Sequence, residues 1–241
     1  MSEVQLPEGW CEVPLLDVVP SVQYGVSLPL NDGEDGIPVM RMNNLRDGAM
    51  DVRDVKRSAN PQALALRLQP GDVLFNRTNS IEHVGRTSLW RGELEGASFA
   101  SYLVRLVPDR ARLEPEYLVS WLNMPATQLL IRQFATPGVH QVNINPTNLR
   151  RVRIELPKDT SQQRRIAEIL ATVDEAMEQT EALVAKLQQM KAGLMHDLFT
   201  RGVTPEGHLR PTRQEAPPPL PPNPCRLAPE GVEGGSAQRL S

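Results

Sequence analysis

The alternation of apolar and polar positions predicts a mixed α/β (α+β) domain over residues 1–157. From about residue 7, short β-branched runs are separated by glycine, proline and asparagine. Short apolar runs separated by such turn-forming residues are typical of a domain that combines helices with strands. The predicted strands are Ile37–Met42, Asp72–Phe75, Thr87–Trp90, Tyr102–Val107 and Val152–Leu156.

Helical spacing within the same region predicts two helices. The first spans Pro61–Leu68 and the second Pro115–Phe134, where Pro115 suits a position in the first turn. The second helix is predicted to present one apolar face, made of Leu118, Leu122, Leu129 and Phe134.

Residues 158–203 have the pattern of a single long helix of the coiled-coil type. Ser161 is predicted to cap it, and its interior holds no proline. Alternating steps of four and three residues from Ile166 give a heptad seam, interrupted by Thr180 and Lys191. The helix would be about 55 to 60 Å long, so we expect it to pair with another long helix. The predicted pairing residues are Ile166, Leu170, Val173, Met177, Val184, Leu187, Leu194 and Leu198.

The remaining residues, 204–241, are predicted to be a disordered tail. They include the run EAPPPLPPNP, in which six of ten residues are proline, followed by a glycine-rich end. Proline removes a backbone donor and fixes φ, so this run is incompatible with a helix or a central strand.

Composition restricts the location and the partners of the protein. The net charge is -3 and the pI is about 5.9, so any basic face must be local. Cys11 and Cys225 are far apart, without metal-ligand spacing, which favours a reducing compartment and predicts neither a disulfide framework nor a metal site. Because neither a leader pattern nor an apolar run of membrane-spanning length occurs, we expect a cytoplasmic protein with no membrane association.

The sequence predicts no catalytic residue and no cofactor. A methyltransferase acting on base amines would need a glycine-rich cofactor loop and an Asn/Asp-Pro-Pro-aromatic motif, and a translocase would need a phosphate-binding loop; none of these is present. Asp54-Val55-Lys56 is similar to part of a nuclease motif, but Pro108-Asp109 lies on the wrong side of it. We therefore expect a non-enzymatic protein.

Several runs together resemble one half of a type I restriction-modification specificity subunit. These are LPEGW at 6–10, GIPVMRMNNL at 36–45, GDVLFNRTNS at 71–80, FASYLVRL at 99–106, VNINPTNLRRVRIELP at 142–157 and LMHDLFTRGV at 194–203. Their order is similar to that of a target-recognition domain followed by the family's spacer helix. That helix usually opens with Pro-x-x-x-Glu-Gln, whereas here Gln162 occupies the acidic position before Gln163.

The resemblance implies a function in a larger complex. Full subunits of the family carry two such halves, each of which reads one part of a split site in double-stranded DNA. Their two spacer helices pack antiparallel, and separate modification and restriction subunits carry the methyltransferase and nuclease activities. The expected partners are therefore duplex DNA, those subunits, and either a second specificity half or a second copy bound through the long helix.

The candidate base-contact residues lie in polar segments that follow predicted strands. Arginine matches guanine, asparagine and glutamine match adenine, and serine and threonine tolerate either base. An ordinary turn explains the same residue types, and Arg86 could contact a phosphate or form a surface salt bridge. We interpret His83 and His140 as loop residues. The candidates are Arg41, Asn43, Asn44, Asn76, Arg77, Thr78, Asn79, Ser80, Arg86, Gln141, Asn143 and Asn145.

A second interpretation is a truncated half that pairs through its helix but supports no working complex. The tail is relevant to this interpretation. Residues 226–241 read RLAPEGVEGGSAQRLS. If their codons are G/C-rich, shifting the reading frame by one nucleotide can give GWLPKGWR. That product is similar to LPEGW at 6–10. We hypothesise that the tail is an out-of-frame reading of the start of a second half, which the codons of the gene can decide.

Overall fold

The computed structural model describes residues 6–33, 35–46, 48–139 and 141–211. The strands are β1 (Trp10–Pro14), β2 (Ser21–Tyr24), β3 (Ile37–Met40), β4 (Leu45–Arg46), β5 (Ala49–Met50), β6 (Lys56–Ser58), β7 (Val73–Asn76), β8 (Thr78–Asn79), β9 (Thr87–Leu89), β10 (Ser98–Phe99), β11 (Leu103–Val107), β12 (Ala135–Pro137), β13 (Val142–Ile144) and β14 (Arg153–Pro157). The helices are α1 (Leu15–Val18), α2 (Pro115–Asn123), α3 (Pro125–Arg132), α4 (Pro146–Leu149) and α5 (Thr160–Arg201), with 3₁₀ turns at Met42–Asn44 and Pro61–Leu66. The predicted α/β class and the long helix are confirmed.

An antiparallel sheet in the order β2-β11-β7-β9 separates two hydrophobic clusters. Phe75 of β7 pairs with Val104 of β11, and both belong to the larger cluster. Their neighbours in the chain, Leu74 and Leu103, belong to the smaller one. Because successive side chains of a strand point to opposite faces, the sheet is buried on both faces at its central strand β7. Strands β1 and β14 form a separate antiparallel pair.

The predicted helix Pro115–Phe134 is two helices in the structure. Met124 adopts an extended conformation between them, because Pro125 lacks an N–H and disfavours helical geometry in the residue before it. Leu118 and Leu122 are buried as expected, but Leu129 is 67% exposed, so its placement on the apolar face was wrong. Ile131 occupies the buried position of α3 instead.

Helix α5 begins with an aspartate cap. Asp159 Oδ1 accepts a hydrogen bond from the Ser161 amide at 2.9 Å, so Asp159, and not the predicted Ser161, caps the helix. The Ser161 hydroxyl donates to the same carboxylate at 2.7 Å. That hydroxyl and the Ser161 backbone amide lower the pKa of Asp159.

The chain divides into two compact units, residues 1–175 and 176–241. In the first unit, Ile166 of α5 packs against the larger core cluster, so it is not free for the pairing role predicted from the heptad pattern. The neighbouring Ala167 is also buried. The other predicted pairing residues, from Leu170 to Leu198, are each at least 40% exposed.

In the second unit, α5 is followed by a tight turn. Gly202 ends the helix with φ +71°, a conformation that favours glycine. Val203 then bridges to Leu209, and the Thr204 amide donates to His208 O at 2.8 Å. The first residues of the predicted tail thus form a hydrogen-bonded turn. Residues from 212 onward, with Cys225 and the frame hypothesis for the tail, lie outside the described residues.

No helix in the described part of the chain combines the length and the apolar character that a membrane crossing requires.

Candidate nucleic-acid interface

The segment at residues 99–102 joins two of the polar segments singled out in the sequence. The Ala100 amide donates to Met40 O at 2.8 Å, directly before Arg41. The Arg77 amide donates to Tyr102 O at 3.0 Å. Backbone hydrogen bonds thus bring the segments around Arg41 and Arg77 to the same short stretch of chain.

A third polar segment is added through β8. The Ile144 amide donates to Arg77 O at 2.8 Å, and β8 pairs antiparallel with β13. In this register Asn143 lies opposite Thr78, and the Asn143 side-chain amide donates to the Thr78 hydroxyl at 3.0 Å. The structure therefore brings Thr78, Asn79, Gln141 and Asn143 together, although they come from segments more than 60 residues apart.

Arg77 is held by contacts on two sides. Its Nη1 donates to Ser101 O at 3.3 Å, and its guanidinium lies 5.2 Å from the ring centroid of Tyr24. Tyr24 and Tyr102 are 51% and 44% exposed. A half-buried arginine is thus positioned beside the exposed ring of Tyr24, and its backbone is bonded to that of Tyr102.

Asn44 is a buried structural residue. Its Oδ1 accepts the Arg41 amide at 2.8 Å, and its Nδ2 donates to Asp51 O and Asp54 O, both at 2.8 Å. Because these bonds use both Nδ2 hydrogens and engage Oδ1, the paired base contact predicted for Asn44 would require breaking them. Its neighbour Asn43 is exposed, and Arg41 is ion-paired with Asp54 at 3.1 Å.

Asn76 has a similar internal role. It is fully buried at the end of β7, and its Nδ2 donates to His83 O at 3.3 Å. Its backbone amide bonds to Arg86 O at 2.8 Å. We therefore interpret Asn76 as a residue that closes the turn between β7 and β9, contrary to the base contact predicted for it.

The remaining candidates differ in how free their side chains are. Asn145 caps α4 by accepting the Thr147 amide at 2.9 Å, and Asn79 Oδ1 accepts the Ser80 amide at 2.8 Å. The amide of Glu82 and the hydroxyl of Ser80 lower the pKa of the Glu82 carboxyl, so the Ser80 side chain is engaged within its own turn. His140 lies outside the described residues.

The cations near Arg41 are largely paired with carboxylates. Asp51 accepts hydrogen bonds from Arg53 at 2.6 and 2.9 Å and from Arg46 at 3.3 Å. These bonds, above all the one from the Arg53 side chain, hold the pKa of Asp51 well below its usual value. By contrast, neither Arg77 nor Arg86 has a carboxylate partner among the described residues.

Comparison with known proteins identifies the family. The sequence profile of the type I restriction modification DNA specificity domain matches residues 7–189. The chain belongs to this family.

Two curated relatives of this specificity-domain family match most of the chain. It is 30% identical over 205 residues to the putative type I restriction enzyme MjaX specificity subunit of Methanocaldococcus jannaschii, covering 83% of this chain and 47% of the relative. It is 23% identical over 211 residues to the type I restriction enzyme EcoBI specificity subunit of Escherichia coli, covering 84% and 44%. The chain thus spans about half the length of these relatives.

Solved structures related to the specificity domain share the fold. The HsdS subunit from Thermoanaerobacter tengcongensis aligns with a TM-score of 0.51 and 23% identity, covering 84% of this chain and 48% of that one. The type I restriction-modification S subunit from M. genitalium aligns with a TM-score of 0.52 and 16% identity, covering 82% and 48%.

Sequence reasoning missed three residues that contact Arg77 in the candidate interface: Tyr24, Ser101 and Tyr102. The sequence signal for Tyr24 is the glycine that follows it. In the structure, a side chain at Gly25 would collide with the Ala100 carbonyl. Such a close backbone approach marks a meeting point of two segments. Across the described residues, no three His, Cys, Asp or Glu side chains form a group able to hold a metal ion.

Proposed function

We propose that the chain recognises a specific sequence in double-stranded DNA and directs a restriction-modification complex to that sequence. The observation that carries this is the meeting of three polar segments within a specificity domain: two bond to residues 99–102, and the third joins them through Arg77 and β8. The proposed contact surface, called the recognition surface below, comprises Arg41, Asn43, Arg77, Thr78, Asn79, Ser80, Gln141 and Asn143.

The side chains of this surface suit base readout in the major groove. Arginine offers paired donors to guanine, and asparagine or glutamine offers a donor and an acceptor to adenine. Arg86 is half-buried and has no carboxylate partner among the described residues, and we propose that it holds a phosphate. Asn145 lies beside the recognition surface in the chain, and its side-chain oxygen already caps α4. The proposed role is non-catalytic, with modification and restriction subunits supplying methyl transfer and cleavage.

The exposed apolar stripe of α5 supports pairing with a second long helix. Leu170, Val173, Met177, Val184, Leu187, Leu194 and Leu198 repeat at heptad spacing, and all are exposed. Either a second specificity half or a second copy of the chain could cover this stripe. The same observation favours the alternative function, in which the chain acts only as a helix-pairing protein.

We propose that a second copy covers the stripe in the antiparallel register that overlaps the whole seam. With the two-fold axis midway between Thr180 and Val184, the seam residues of one helix lie opposite those of its copy. Met177 then faces Leu187 of the second copy, and Val173 faces Lys191 of the second copy. A closed pair with this symmetry would read two inverted copies of one half-site.

Asn43→Ala and Asn79→Ala test the recognition surface. Each is expected to weaken binding to a duplex selected from a random pool by about 1 to 3 kcal/mol, because each removes a proposed contact to a base edge. Binding to unrelated duplex at the same salt concentration should be unchanged. The measurement is a titration of labelled duplex with the full chain and modification subunits.

Gln62→Ala is the matched control, since Gln62 is an exposed amide outside the recognition surface. An equal loss on selected and unrelated DNA would assign Asn43 and Asn79 to phosphate contact or folding. If the parent chain selects no sequence but still pairs through α5, the interaction-only function is correct.

A further inference from the structure

We infer that a cleft in the recognition surface receives the 5-methyl group of a thymine and so reads an A·T pair. This inference rests on the proposed function and names a chemical group that the surface recognises. The cleft has a volume of about 190 Å³ and lies between residues 26–30, 41–43 and 100–102. Its apolar lining consists of Val26, Leu28, Leu30, Met42 and Ala100.

Two walls of the cleft are fixed by backbone hydrogen bonds. The Val26 amide donates to Phe99 O at 2.9 Å, and the Ser101 amide donates to Val26 O at 2.9 Å. Gly25 allows this approach, since any larger residue there would collide with the Ala100 carbonyl. The segment at residues 26–30 is therefore held against residues 99–102 without help from a ligand.

The third wall is fixed by the buried Asn44 amide. Its three hydrogen bonds, each 2.8 Å long, tie the Arg41 amide to the carbonyls of Asp51 and Asp54. The turn that carries Met42 and Asn43 is thereby held in place. A cleft whose three walls are all fixed is preorganised, so little conformational entropy is lost when it is filled.

The chemistry of the cleft matches one group on DNA. In the major groove the base edges present hydrogen-bond donors and acceptors, and the thymine methyl is their apolar group. Asn43 is exposed at the rim of the cleft. Its side-chain amide can donate to N7 of an adenine and accept from the N6 amino group of the same base. An apolar cleft beside an exposed asparagine therefore suits both edges of a single A·T pair.

An extruded base suits this cleft less well. Its polar edge would enter an apolar lining, where an unpaired donor or acceptor is costly. Polar side chains also line the cleft, namely those of Ser27, Arg41, Asn43 and Ser101, but most of the exposed lining surface is apolar and Arg41 is already paired with Asp54. The base therefore stays in the stack and only its methyl group enters.

The test is a uracil scan of a selected duplex with the full chain and the modification subunits. Replacing each thymine by uracil removes only the methyl group. We expect a loss of affinity of about four-fold at one position of the half-site and no change elsewhere. Leu28→Ser, which makes the lining polar, should bind the thymine and uracil duplexes equally well, whereas Leu64→Ser, an exposed leucine outside the cleft, should keep the difference.

Other results would overturn the inference in distinguishable ways. If selected DNA is bound but uracil is neutral at every position, the methyl assignment is wrong and the proposed function stands. The same follows if Leu28→Ser retains the four-fold difference. Tighter binding to a mismatch at the sensitive position would instead indicate base extrusion. If no sequence is selected at all, the proposed function fails, and this inference fails with it.

Discussion

Leu187→Asp is expected to convert a paired chain into a monomer. Leu187 is 54% exposed on α5, and in the antiparallel register it faces Met177 of the second copy. Burying a leucine contributes about 1.5 to 3 kcal/mol, and the substitution removes two leucines from each pair. An unpaired carboxylate in an apolar seam adds a further penalty. Light scattering on the full chain should therefore show a loss of association of at least about a hundred-fold.

Two further variants test the register itself. Val173→Asp should weaken pairing much less than Leu187→Asp, because the new carboxylate would face Lys191 of the second copy. Gln189→Asp places the same charge on the outer side of the helix and should change nothing, with helix content checked by circular dichroism. If Val173→Asp and Leu187→Asp are equally disruptive, the register is wrong; a monomeric parent chain would exclude self-pairing.

Gln163→Ala is expected to lower the free energy of unfolding by about 2 to 4 kcal/mol. Gln163 is fully buried near the start of α5, and its Oε1 accepts the Glu114 amide at 2.9 Å. Its Nε2 donates to Arg112 O at 2.9 Å and to Pro157 O at 2.8 Å. Truncation leaves three backbone groups without partners, and such groups are costly when buried. Urea denaturation followed by circular dichroism measures the change.

The adjacent residue provides a control for Gln163. Gln162 is exposed, so Gln162→Ala removes the same side chain one position earlier in the helix and should shift stability by less than about 0.5 kcal/mol. Equal effects from the two substitutions would show that helix propensity, and not the buried amide, accounts for the loss.

The longer elements of the fold could be predicted because their signals are local. The strands at Val73–Asn76 and Leu103–Val107 have apolar, β-branched runs, and α5 has a heptad pattern over most of its length. The two-residue strands β8 and β10 exist only because distant segments pair with them, and no local pattern marks them. The break at Met124 was readable from Pro125, but the continuous apolar spacing obscured it.

The candidate site was predictable as a set of segments but not residue by residue. Asn43 and Asn44 look equivalent in the sequence, yet one is exposed and the other is buried against carbonyls seven and ten residues away. Which asparagine turns inward depends on the path of the chain through Asp51 and Asp54. A polar turn supplies no local signal for that choice. Ile166 shows the same limit, because the heptad rule cannot tell a core contact from a pairing contact.

The backbone bonds around residues 99–102 bear on how such a protein can evolve. The links to Met40, Val26 and Arg77 are made by main-chain amides and carbonyls, so they persist whatever side chains the neighbouring exposed positions carry. Asn43 and Asn79 could therefore be exchanged for other residues while the framework is retained. Under the proposed function, such substitutions would change the DNA sequence that is recognised and leave the backbone framework as it is.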